Sequence, residues 1–172
     1  MEPLLSTDDL RALFEDDHGY LTKKYKTQLD LYFDKYDFEE LAEYEDDERT
    51  VAFFETLFMT QIVENDDFML VIEDFGEKLP FEFELQASDN GKLEVAFNGR
   101  TSEIPRDGYK ALRAFNTILA PDYEIRALRT SVEDETGVHS LLLLDCASWQ
   151  TAEKDYGNKV AEYFVTLNNA DF

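Results

Sequence analysis

A chain of 172 residues that is 44% hydrophobic and 14% aromatic has the material for a folded core, so its formal charge of −23 at pH 7 does not mark it as disordered. That charge sets it against nucleic acid and anionic membrane surfaces, which are bound through lysine and arginine. The single cysteine, Cys146, excludes an intramolecular disulfide.

The acids are unevenly placed. Residues 1–86 carry 25 acids against 7 bases, and residues 87–172 carry 14 against 9, which predicts one strongly negative face rather than an evenly acidic shell. Such a face attracts basic proteins and cations; the plain alternative is a solvated face with no partner. The start of the chain, MEPLLSTDD, lacks a basic segment before its apolar pair, which predicts no signal peptide. The longest aliphatic run, Leu141 to Leu144, is too short to span a bilayer. A soluble cytoplasmic protein is the expectation.

In chain order, Ser6-Thr7-Asp8-Asp9 before Leu10, Leu13 and Phe14 reads as the N-cap and acidic first turn of a short helix ending near Gly19. A longer helix is predicted from about Thr22 into the acidic stretch, with Tyr25, Leu29, Tyr32 and Tyr36 on one face and Asp30, Asp34 and Asp37 on another. Phe38, Leu41 and Tyr44 shift the apolar phase and predict a bend near Asp37. Arg49 to Asn65 reads as a buried helix, with Val51, Phe54, Phe58 and Ile62 in one row.

From Phe68 the period changes to two. Phe68 to Asp74 reads as a strand, and Phe81, Phe83, Leu85 and Ala87 alternate with Glu82, Glu84 and Gln86 as a half-buried one. Asp89-Asn90-Gly91 supplies a hairpin turn into Leu93, Val95 and Phe97, ending at Asn98-Gly99. Asp107 to Leu119 is a helix with Tyr109, Leu112, Phe115 and Leu119 inward. Tyr123 to Val132 and Val138 to Asp145 form a second hairpin. Ser148 opens a last helix bearing Trp149, Ala152, Tyr156, Val160, Phe164 and Leu167, with Gly157 as a break.

This order predicts one α+β domain over residues 1–172. Its N-terminal acidic helical part is 1–48 and its α+β core is 49–172. The core holds an antiparallel sheet of about five strands in the order βββαββ, covered on one face, and a C-terminal helix.

Catalytic chemistry has little to stand on. His139, Ser140 and Asp145 include the residue types of a triad, but adjacent strand residues point to opposite faces, so the reading is of a non-enzyme. One cysteine and two distant histidines, His18 and His139, do not make a zinc pattern. The loops Glu64-Asn65-Asp66-Asp67 and Glu133-Asp134-Glu135 lack the ligand spacing of a calcium loop, and no phosphate-binding glycine motif is present. No metal or cofactor is expected. Cys146 reads as a small buried hydrophobe.

What remains is Asp30 to Glu48, with ten acids against Lys35 alone. Carboxylates one helical turn apart repel, a cost that lysine and arginine from a partner would relieve. Asp30, Asp34, Asp37, Glu40, Glu43, Asp46 and Asp47 are the candidate charges of a partner-binding face, with Tyr36 or Tyr44 as an exposed anchor.

The size, the acidity, the run His139-Ser140-Leu141-Leu142-Leu143-Leu144 and the Trp149/Tyr156/Phe164 segment resemble small bacterial immunity proteins. That resemblance implies a cytoplasmic inhibitor of a cognate, nuclease-like toxin. From Arg49 onward the order α-β-β-β-α-β-β-α is similar to class I type III secretion chaperones, which implies a homodimer holding an unfolded secreted segment. The extra N-terminal helices depart from that pattern. A DNA mimic sequestering a DNA-binding protein, and a structural α+β domain with incidental charge, complete the readings.

Overall fold

The computed structural model describes residues 5–32, 39–63, 68–134 and 136–170. Three short helices come first: α1 (Thr7–Phe14), α2 (His18–Lys24) and α3 (Lys26–Tyr32). Ser6 caps α1 in a reciprocal box with Asp9, as the sequence suggests. The helix stops earlier than predicted, because Asp16 turns the chain at φ 57° and Asp17 caps α2, which leaves Gly19 inside a helix. Nor is there one long helix from Thr22: the chain breaks at Tyr25, whose hydroxyl donates to Asp9 at 2.8 Å. Lys24 Nζ meets the same carboxylate at 2.6 Å. Burial alone would raise the Asp9 carboxyl, but the hydrogen bonds from Lys24, Ser6 and Tyr25 outweigh it and hold the group below its ordinary value. Of the aromatic seam, Tyr25 and Leu29 are buried while Tyr32 is 63% exposed. Asp34, Tyr36, Asp37 and the bend expected there lie outside the described residues.

Helix α4 (Asp46–Leu57) buries Phe53 and Phe54. It does not continue to Asn65. Phe58 ends it at φ −133°, and Thr60–Val63 form strand β1, so Ile62 belongs to a strand rather than to the helical row. Thr60, Ile62 and Val63 are β-branched, and they pair antiparallel with an available strand edge from Thr60↔Leu141 to Val63↔Val138. The strand expected at Phe68–Asp74 is instead the start of helix α5 (Phe68–Lys78). Phe68, Val71, Ile72 and Phe75 are its buried apolar positions, with buried Leu79 just past its end, a helical period that a short apolar run also fits.

Strands β2 (Phe83–Ala87), β3 (Leu93–Phe97) and β4 (Arg100–Ile104) form a three-stranded antiparallel sheet. The first hairpin is the predicted one. The second turns at Asn98 and Gly99, both at positive φ (48° and 73°), into a strand too polar to be recognised from periodicity. Helix α6 (Gly108–Leu119) buries Leu112, Phe115 and Leu119 as predicted.

Strand β5 (Tyr123–Leu128) pairs with β6 (Val138–Asp145) from Tyr123↔Asp145 to Ala127↔Leu141. Arg129–Glu133 is a short helix, α7, where the sequence suggested more strand. Helix α8 (Cys146–Tyr163) starts before Ser148 because Asp145 is its cap, accepting from the Ser148 amide at 2.7 Å. It kinks at Tyr156 (φ −135°), beside the predicted break at Gly157. Phe164 then opens strand β7 (Phe164–Thr166), so neither it nor Leu167 is helical.

The larger sheet has the order β1-β6-β5-β7 and is antiparallel throughout. The α+β class therefore stands, but the single sheet covered on one face becomes two sheets, the larger buried on both faces. Leu141 and Leu143 of β6 face α5, α6 and the smaller sheet, whereas Leu142 and Leu144 face the side of α1, α4 and α8. An unbroken apolar strand is what two-sided burial requires. Each of these leucines is at most 2% exposed and contributes roughly 1.5–3 kcal/mol by leaving water. Among the described residues no helix is long and apolar enough to cross a membrane.

Candidate acidic interface

The acidic stretch leads into α4, and the base that follows it, Arg49, is turned inward. Arg49 donates to three backbone carbonyls, Leu41 O (3.0 Å), Ala42 O (3.0 Å) and Tyr44 O (2.8 Å). A guanidinium is suited to this task because its planar fork serves several acceptors at once. Buried Leu41 fastens the segment from below. The result is a held segment, a helical turn at 39–41 and a loop leading into the first turn of α4, along which the side chains of Glu39, Glu40, Glu43, Glu45, Asp46, Asp47 and Glu48 are exposed.

Part of this acidity serves the helix itself. Asp46, Asp47 and Glu48 fill the first turn of α4, where they complement the positive end of the helix dipole, and Glu48 accepts from the Glu45 amide at 3.2 Å. Asp46 lies 3.8 Å from Arg49. Farther off, Asp30 is bound by Lys26 at 2.8 Å, so its charge is locally offset. Glu40 and Glu43 have no ion pair among the described residues.

Tyr44, 39% exposed, stands between two open grooves that share Ala52 and Glu55 of α4. The first, about 530 Å³, is floored by Leu41, Leu57 and Met59 and edged by Tyr32 and Glu40. The second, about 670 Å³, runs between α4 and α8 and is bordered by Asp47, Glu48, Glu55 and Glu162. Neither has a lysine or arginine among its described lining residues. Glu55 sits where the grooves meet and accepts from Ser140 Oγ at 2.6 Å.

Of the residues expected to bind a partner, the structure brings Glu40, Tyr44 and Asp47 to these grooves. It places Glu43 and Asp46 on the exposed loop and first turn, and Asp30 apart on α3. Sequence reasoning missed Arg49, Glu55, Glu162 and Tyr163. Glu48, Val51, Ala52 and Glu55 do recur at helical spacing, a legible stripe. Glu162 and Tyr163 reach the groove only because α8 packs beside α4. Tyr163 lines the groove at 6% exposure, and burial, then Asp16, Glu162 and Asp47, push its hydroxyl up to about 12.

The triad residue types do not meet. His139 hydrogen-bonds Ser131 O through Nδ1 at 2.8 Å on one side of β6, while Ser140 reaches Glu55 on the other. Cys146 is half-buried rather than fully buried; burial, then Glu124 and Asp145, push its thiol up and blunt its reactivity. No group of three or more metal-ligating side chains occurs among the described residues. Compared with known protein families, characterised proteins and solved structures, the chain matches none.

Proposed function

We propose that the chain is an acidic binding protein that neutralises a basic protein, acting as an immunity protein that occludes a nuclease-like bacterial toxin. One observation carries the reading: Arg49 holds the carbonyls of Leu41, Ala42 and Tyr44, and the side chains of Glu40, Glu43, Asp46 and Asp47 around that held segment are exposed. A fixed array of uncompensated charge costs stability, and a basic surface relieves that cost while removing its own exposed charge. Tyr44 and the apolar groove floors supply the contact area that charge alone lacks. Steering by the field of the whole chain, net −23, accelerates the encounter.

The test is affinity capture from host lysate at low and high salt. It is followed by assay of the captured basic protein for nuclease activity with and without this chain. Stoichiometric inhibition is expected, weakened roughly tenfold or more when Glu40, Glu43, Asp46 and Asp47 are replaced by Gln and Asn. Unchanged inhibition and salt dependence in that variant would refute the reading. Displacement of a non-enzymatic partner by duplex DNA would make the chain a DNA mimic instead. Capture of an unfolded segment that survives high salt would favour a secretion chaperone.

A further inference from the structure

The groove between α4 and α8 holds a feature that acidity does not explain. Tyr163 packs its ring against Phe14 (6.2 Å) and Phe54 (6.2 Å) in the core, yet its hydroxyl has no hydrogen-bond partner among the described residues. The residue is 6% exposed and lines the groove, and its hydroxyl lies in the field of Asp47 and Glu162, which line the same groove. Water reaches the hydroxyl through the groove, and a ligand donor placed there takes that water's position. Asp47 and Glu48 border the groove from the first turn of α4 and Glu162 from α8, while Val51 and Ala52 leave an apolar patch between them.

We infer, building on the reading above, that this groove takes an arginine side chain of the basic partner. Its guanidinium lies between the α4 carboxylates and Glu162 and donates to the Tyr163 hydroxyl. An arginine fits better than a lysine for three reasons. Its several donors diverge in one plane and can serve acceptors on opposite walls. It is more weakly hydrated, so it crosses the apolar patch at lower cost. It also stacks on an aromatic face, which Tyr44 offers at the rim. A volume of about 670 Å³ admits the side chain together with the backbone that carries it.

The test titrates the full chain at low salt with the acetylated, amidated peptide Arg-Gly-Arg-Gly-Arg and with its lysine counterpart. The arginine peptide is expected to bind roughly tenfold tighter, and Tyr163→Phe and Glu162→Gln each to weaken it roughly tenfold. Tyr163→Phe is expected to leave the melting temperature unlowered, because the hydroxyl makes no hydrogen bond within the fold; a purely structural tyrosine would lower it. Equal affinity for the two peptides, unchanged affinity in both variants, or no binding overturns the inference. If Glu43→Gln with Asp46→Asn, outside the groove, weakens the peptide while the groove variants do not, the arginine site falls and the acidic-face reading stands.

Discussion

Replacing Arg49 with lysine preserves the charge and removes the fork, and replacing it with alanine makes the chain one unit more acidic while releasing the loop. Simple charge arithmetic expects Arg49→Ala to bind a basic partner more tightly; the geometry requires weaker binding. The magnitude follows from the three carbonyl contacts. Hydrogen bonds to a charged group contribute roughly 1.5–3 kcal/mol each. Arg49 is 24% exposed and two of its three contacts lie at the surface, so about 1 kcal/mol each is the fitting value. Arg49→Ala therefore loses about 3 kcal/mol and Arg49→Lys, keeping one contact, about 2 kcal/mol. At this chain length 2 kcal/mol lowers the melting temperature by roughly 4–8 °C. Thermal melts give the stability, amide exchange over residues 41–45 reports the loop, and titration with the arginine peptide reports the interface. A lysine variant with wild-type exchange and an unchanged melt, or an alanine variant that binds more tightly, would show that Arg49 does not present the acids.

Two further tests address the frame beneath the acidic face. His18 is 7% exposed, stacked on Phe53 with its Nε2 2.8 Å from Thr50 Oγ1. Burial, then the Arg49 charge, lower its folded pKa despite Asp16, Asp46 and Asp17. The unfolded chain then binds the proton first, so stability from His18 is present above its ordinary value near 6.5 and declines as pH falls below it. The stability difference between wild type and His18→Gln, measured by urea unfolding from pH 7.5 to 5, should shrink with acidification; a constant difference would refute this. Gly76 meets the ring of Phe83 so closely that an added Cβ would lie 2.0 Å from Cδ1, and Phe83 is itself packed on Phe115. Gly76→Ala should cost about 1–3 kcal/mol in the same unfolding assay, and a neutral result would mean that the Phe83 ring moves freely.

The local patterns that carry their own physical signal were legible in the chain. The Ser6 cap, the Asn90-Gly91 hairpin, the amphipathic α6 and the pairing of β5 with β6 each depend on residues close in sequence or on a strict period. The acidic density at 39–48 was visible as well, along with the exposure of Tyr44. Apolar runs were not decidable: Phe68 to Asp74 fits a strand as readily as a helix until the smaller sheet shows which face is covered, and Ile62 joins a strand because β6 offers it an edge. The run Leu141 to Leu144 announced burial, but only the assembled layers show that alternate leucines serve opposite cores. The same limit holds at the acidic face. Sequence determined that the surface is negative, since charge is a sum over residues. Tertiary structure decided what that charge surrounds, because the inward turn of Arg49 and the packing of α8 beside α4, which brings Glu162 and Tyr163 to Asp47 and Glu55, join residues that no local period connects.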